Sequence, residues 1–233
     1  MNSEEVKVVY LYGIICLKNR KLQGLNIMDK KVKWIFFDVG STLVDETEAY
    51  NHRIRDVIKG TNITFEQFQE KRRFFAKQNL QGDLEAIKYF GLTKTPWHKE
   101  DEIPYPNAED ILQYLCGKGY KIGVIANQSA GTTERLKGWK LLKYIDVVAA
   151  SAELGVAKPD RGIFDKAFEM AKCTAQEAVM VGDRLDNDIR PANELGMKTV
   201  WIRQDLAIYQ NPQRVEEQPD YIVDDLSALK EIF

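Results

Sequence analysis

The sequence predicts an α/β fold: a Rossmann-like parallel sheet core with helices on both faces and a small helical cap insertion. Two features predict it. From Lys33 onward, short apolar runs of strand length alternate with stretches of helical length, the pattern of parallel strands joined by crossover helices. Between about Glu46 and Ile103 the alternation stops and only helical patterns remain, which marks an insertion outside the sheet.

Taken in order, Trp34–Phe37 is predicted to be a buried strand that ends at Asp38. Further strands are predicted at Lys121–Ala126, Asp146–Ala149, Ala178–Val181, Thr199–Ile202 and Tyr221–Val223. The helices between them are predicted at Ala108–Gly117, Thr132–Leu141, Asp160–Lys172 and Asp188–Leu195. Inside the insertion, helices are expected over Glu48–Lys59, Phe65–Gln78 and Leu84–Phe90, the second opened by Thr64 and Gln67 as a capping box. A polar, proline-containing return from Thr95 to Pro106 closes it. The expected division is therefore an extension over 1–27, a core over 28–45 and 104–233, and a cap over 46–103.

Composition narrows the function classes. Hydrophobic residues are 44% and charged residues 29% of 233, which fits a soluble globular chain and excludes collagen-like, disordered and membrane-spanning classes. Lys and Arg number 33 against 35 Asp and Glu, a formal charge of −2, so no bulk field draws the chain to nucleic acid or an anionic membrane. Cys16, Cys116 and Cys173 lie far apart and form neither a disulfide framework nor a zinc pattern, which fits reduced thiols in the cytoplasm. The apolar run Val8–Leu17 is too short to span a bilayer, which takes about 20 residues. Its flanks, acidic before and basic after, are the reverse of a signal peptide. Residues 1–27 are read as peripheral, with Met28 as an alternative start.

In parallel sheets ligands bind beyond the carboxyl ends of the strands, so polar residues there carry the chemistry. Asp38 opens the segment DVGSTLVD directly after the first strand. Its carboxylate suits a nucleophile, and Gly40 and Ser41 offer backbone N–H groups to an anion. The same residues also suit a turn or an N-cap. Lys158, between Gly155-Val156-Ala157 and Pro159, can pin a phosphate or hold a carboxylate ionised, or can be a solvated lysine. Asp183, Asp186 and Asp188 crowd three carboxylates behind the fourth strand. Such hard oxygen ligands suit magnesium, although Asp188 alone also suits a helix start.

The order and spacing of these segments resemble the haloacid dehalogenase superfamily, most of whose members are magnesium-dependent phosphatases. The resemblance runs from about Val32 to Phe233. It is carried by Gly155–Phe164 (GVAKPDRGIF), Val181–Ile189 (VGDRLDNDI) and the proline-flanked stretch Pro104–Gly123. The helical insertion resembles the family's small cap. The resemblance implies that Asp38 forms an aspartyl-phosphate that water hydrolyses, with Lys158 neutralising charge on the nucleophile and the phosphoryl group. It implies Mg2+ held by Asp38, Asp183, Asp188 and the backbone carbonyl of Gly40, with Gly40, Ser41, Asn127 and Lys158 around the phosphate. Asp186 matches no ligand position and is expected at the surface. The substrate would be a small phosphorylated metabolite, with no nucleic-acid or membrane partner.

Two positions depart from the family pattern. A second aspartate usually stands two residues after the nucleophile as general acid, and here that position is Gly40; losing a positioned acid costs about 10²–10⁴-fold in rate. A Ser or Thr usually follows the second strand. Here Ala126 is followed by Asn127 and Gln128, and a lost bond to a charged group is worth roughly 1.5–3 kcal/mol. Asn127, neighbouring N–H groups or Ser129 would have to replace it. Three readings follow: hydrolysis of esters whose leaving group needs little protonation; a proton from water or from Asp45, His52 or His98; or a phosphate-binding protein with weak or no turnover. Carbon–halogen cleavage is disfavoured by the acidic pair, which the metal-free dehalogenases lack. Phosphonate cleavage would need a Schiff-base lysine, and Lys59, Lys71, Lys77, Lys88, Lys94 and Lys99 offer no distinguishing context. Trp97, His98, Arg53 and Arg55 are expected to be exposed residues that select the substrate.

Overall fold

The computed structural model describes residues 31–233, so Val8–Leu17, Cys16 and Met28 lie outside the described residues. Strand β1 (Trp34–Phe37) is the centre of the sheet. It pairs in parallel with β4 (Lys121–Ala126) on one side and with β6 (Ala178–Gly182) on the other. Beyond β4 lies β5 (Val147–Ala150), and beyond β6 lie β7 (Lys198–Ile202) and then β8 (Tyr221–Val223). The order is β5-β4-β1-β6-β7-β8 with every pairing parallel, so all carboxyl ends share one edge. The predicted sheet is present with all six of its strands.

Both faces of this sheet are covered, which is why its strands are apolar throughout. Ile35, Phe37, Val124 and Val181 face a cluster completed by Ile111, Leu112 and Leu115 of α4 (Ala108–Gly117). Phe36, Ile125 and Met180 face the other way, onto Ile163, Phe164 and Ala167 of α7 (Arg161–Ala171). Burial of each such large side chain contributes about 1.5–3 kcal/mol.

Some boundaries differ for local reasons. The helix predicted over Thr132–Leu141 is α5 (Thr132–Gly138), because Lys140 adopts a left-handed φ of 62° and a separate 3₁₀ turn follows at Leu142–Tyr144. Strand β5 starts one residue later than predicted, since the Asp146 carboxylate accepts the Ile122 N–H at 3.1 Å and pairs with Lys121 at 3.0 Å. The helix predicted from Asp188 begins as a π-turn over Leu185–Ile189 and becomes α8 (Arg190–Leu195) only afterwards. A short α6 (Ser151–Leu154) follows β5 directly.

The insertion is helical: α1 (Thr47–Ile58), α2 (Phe65–Ala76) and α3 (Gly82–Tyr89) enclose Ile54, Val57, Phe68, Ala86 and Ile87. The capping box is present, with the Thr64 hydroxyl accepting the Gln67 N–H at 3.2 Å and the Gln67 side chain accepting the Thr64 N–H at 2.8 Å. Where the chain leaves and re-enters the core, β2 (Val44–Asp45) and β3 (Ile103–Pro104) form a two-residue antiparallel pair. So short a pair leaves no periodic signal in sequence. Arg72 ties the insertion to the core from a fully enclosed position, 3.8 Å from both Asp83 and Asp205, with Tyr50 beneath its guanidinium. Thr64→Ala removes the cap acceptor and is expected to lower stability by about 1 kcal/mol, measured as a lower urea midpoint at unchanged m-value.

Candidate active site

The carboxyl edge of the sheet gathers the chemistry. β1 delivers Asp38, whose N–H bonds the Val181 carbonyl of β6 at 2.9 Å. β4 delivers Asn127, β6 delivers Asp183, and the loop after α6 delivers Lys158. The buried Lys158 ammonium lies 2.9 Å from Asp38 and 2.6 Å from Asp188. The other Asp188 oxygen accepts the Arg184 N–H at 3.0 Å, a bond inside the π-turn that aims this carboxylate back at the sheet. Gly182 permits the approach, since a Cβ there would stand 2.4 Å from the Asp188 carboxyl. The Trp201 indole N–H holds the Asp183 carbonyl at 2.7 Å from β7.

One ammonium thus faces three carboxylates. Oxygen atoms of Asp38, Asp183 and Asp188 lie within 4.8 Å of one another. Burial, reinforced by Asp188 and Asp38, pushes the Asp183 carboxyl well above its ordinary range. Burial also pushes Asp188 up to about 6, against the pull of Lys158. Burial pulls the Lys158 ammonium down, but Asp188 and Asp38 outweigh it and leave its pKa raised. Enclosed carboxylates left in excess of their counter-charge, offering hard oxygen donors beside an open cleft, fit a divalent cation such as magnesium.

The cleft above these groups has a volume of about 340 Å³, with Gly40, Ser41 and Ser129 on its core side and Tyr50, Arg53 and Trp97 on its cap side. Asn127 also lines it, but its amide is engaged with the Lys158 backbone. Its Nδ2 donates to the Lys158 carbonyl at 2.8 Å, and its Oδ1 accepts the Lys158 N–H at 2.7 Å. Ser129 Oγ accepts from Arg135 at 3.3 Å. Asp186 is the half-buried ion-pair partner of Arg184, at 2.5 Å, rather than a free surface carboxylate.

The cap residues are placed differently from expectation. Arg53 was expected to be exposed; it is buried, donating to Asp83 at 3.0 Å with its guanidinium 4.3 Å over the Trp97 ring. Arg55 pairs with Glu48 on the outer face of α1 and does not line the cleft. His52 and His98 stack at 3.4 Å and bond Asp101 and Asp56, which ties the return segment to α1 away from the cleft. Asp45 caps α1 by accepting the Thr47 N–H. None of the three proposed proton donors reaches the cleft.

Five cleft residues escaped the sequence reading: Glu46, Tyr50, Gln81, Arg184 and Asn187. Glu46 matters most. Burial, then repulsion from Glu102, Asp38 and Asp205, pushes its carboxyl up to about 8, with the Ser41 hydroxyl opposing. No local sequence signal picks it out, because it adjoins Asp45 in an ordinary acidic turn before a helix.

The chain belongs to the haloacid dehalogenase-like hydrolases, whose family model matches residues 35–202. It is 36% identical over 226 residues to a glyceraldehyde 3-phosphate phosphatase of Methanopyrus kandleri, covering 83% of this chain and 93% of that protein. It is 27% identical over 211 residues to the pyrophosphatase PpaX of Bacillus mycoides, covering 85% and 95%. Among solved structures, a haloacid dehalogenase phosphatase from Thermococcus onnurineus superposes with a TM-score of 0.59 at 25% identity, over 86% of this chain and 97% of that one. The protein is a phosphatase-like hydrolase of this family.

The Asp188 carboxyl is raised from 3.8 to about 6, so between these values the folded chain holds a proton that the unfolded chain has lost. Without a divalent cation its contribution to stability therefore falls as pH rises through that window. A bound cation must displace those protons. The rise in Tm produced by magnesium is expected to be larger at pH 8 than at pH 5, and equal shifts would remove the acidic cluster from the account.

Proposed function

We propose that the protein is a magnesium-dependent phosphatase that cleaves a small phosphorylated metabolite through an aspartyl-phosphate on Asp38. The observation that carries this reading is the buried Lys158 ammonium bridging Asp38 and Asp188 at the base of the cleft. An Asp38 oxygen attacks phosphorus, the ester P–O bond breaks, and the leaving oxygen departs with a proton. Water then attacks the phosphoryl group and releases orthophosphate and the Asp38 carboxylate. Lys158 stands 2.9 Å from the Asp38 carboxylate and offsets charge on the transferring group. Magnesium held by Asp38, Asp183, Asp188 and the Gly40 carbonyl would supply further neutralisation there. Asn127 acts by fixing the Lys158 backbone. The N–H groups of Gly40 and Ser41 face the phosphate, and Ser41 turns this segment with a left-handed φ of 51°.

The relatives' names support a substrate of triose phosphate size, which a cleft of about 340 Å³ accommodates. The segment over 46–103 serves as a cap that excludes water and selects that substrate, with Tyr50, Gln81, Lys94 and Trp97 facing it. Among the described residues no helix is long and apolar enough to cross a membrane, in keeping with a cytoplasmic enzyme acting on a small molecule. Lys94 is exposed and lacks the desolvation that activates a Schiff-base lysine, which weighs against phosphonate cleavage. Ala126 favours a second reading, phosphate binding with weak turnover, because no hydroxyl stands at the end of β4.

Magnesium-dependent phosphate release from glyceraldehyde 3-phosphate and acetyl phosphate separates these readings. Asp38→Asn is expected to reduce both rates by roughly 10³-fold or more while the protein stays folded. Release that survives the substitution would refute the nucleophile. Magnesium binding without release from either substrate would establish the binding-only reading.

A further inference from the structure

The carboxyl of Glu46 occupies the space that the family's second aspartate would need. An ideal Cβ on Gly40 would stand 2.4 Å from Glu46 Oε1 and 2.6 Å from Oε2, so a side chain at position 40 and this carboxyl exclude one another. Glu46 lies at the N-terminus of α1, six residues beyond Gly40, yet it lines the same cleft as Asp38, Lys158 and Asp183. Among the described residues its side chain forms no ion pair with a Lys or Arg; its hydrogen bond comes from the Ser41 hydroxyl, at 3.3 Å. Of the cations lining the cleft, Arg53 pairs with Asp83, Arg184 with Asp186 and Lys158 with Asp38 and Asp188, and Lys94 forms no ion pair with Glu46. The carboxyl is thus positioned at one oxygen and free of a counter-charge.

We propose that Glu46 is a catalytic residue of this hydrolase, the proton donor for the leaving group, and that Gly40 is the opening through which it reaches the site. The inference rests on the Asp38 phosphatase reading and deepens it. As the P–O bond to the leaving group breaks, the Glu46 carboxyl gives its proton to the departing alkoxide and becomes a carboxylate. When water attacks the phosphoryl group on Asp38, the P–O bond to Asp38 breaks, the water protons leave with the orthophosphate, and Glu46 regains its proton from solvent. Both residues end as they began. Glycine at position 40 is then an accommodation of a carboxyl arriving from the cap, so the acid is relocated and not lost. Because α1 carries it, assembly of the acid depends on how the cap sits over the core.

The test is a leaving-group comparison. Acetyl phosphate expels acetate, which needs little protonation; glyceraldehyde 3-phosphate expels an alkoxide, which needs it. Glu46→Gln is expected to lower glyceraldehyde 3-phosphate hydrolysis by about 10²–10⁴-fold and acetyl phosphate hydrolysis by less than about tenfold. The magnesium-induced Tm shift is the check that the pocket is intact. Gly40→Asp in the otherwise unchanged protein is expected to lower ester hydrolysis, since the new side chain meets Glu46. In a Glu46→Ala background, Gly40→Asp is expected to restore at least tenfold of the lost ester rate. Equal losses on both substrates, or a gain from Gly40→Asp alone, would overturn the assignment of Glu46. Loss of Asp38 dependence on acetyl phosphate would instead overturn the underlying phosphatase reading, so the two failures are distinguishable.

Discussion

The site is organised by one buried ammonium held between two carboxylates. Lys158 is enclosed, and only the charges of Asp38 and Asp188 make that enclosure tolerable. Removing one partner from such a group leaves a buried charge uncompensated, so Lys158, Asp38 and the acidic turn depend on one another. The fold meets this demand with backbone. Asn127 fixes the Lys158 main chain, the π-turn directs Asp188 inward, and Trp201 fixes the Asp183 carbonyl. Asn127 follows β4, the π-turn follows β6 and Trp201 lies in β7, so three strands converge on the carboxyl edge of the sheet.

The excess of negative charge at that edge follows from the same constraint. Lys158 offsets part of it, while burial first, then repulsion from neighbouring carboxylates, raises the carboxyls of Asp183 and Asp188. A hard divalent cation would complete the balance, and a transferring phosphoryl group would use the same charges. Glu46 extends the logic to the cap. Its carboxyl stands at the N-cap of α1, and burial first, then repulsion from Glu102, Asp38 and Asp205, raises it.

Much of the core was legible because parallel strands buried on both faces leave apolar runs that few other structures share. β1, β4 and β8 fall on the residues predicted, and α4 likewise. The errors have local causes: a left-handed Lys140, a carboxylate standing at a strand entrance, and a π-turn that has no periodic signature. The core-side residues Asp38, Lys158, Asp183 and Asp188 were legible because a strand end names its own neighbours. The cap side was not. Arg53 looked like a surface arginine on an amphipathic helix, and only the packing of Asp83 and Trp97 around it shows it buried.

Sequence by itself determined the sheet, the helical insertion and the identity of the acidic and lysine groups at the carboxyl edge. Strand burial and strand-end polarity are written within a few residues of one another along the chain. Only the tertiary structure decided what stands opposite Gly40. A missing side chain is visible in sequence, but the carboxyl that fills its space belongs to Glu46, the N-cap of α1, and it reaches that space only once the chain between Gly40 and α1 has folded back. The same holds for Asn127, whose role depends on a partner thirty-one positions further along the chain. Occupancy of space between separate elements has no local code, because it is set by packing rather than by propensity.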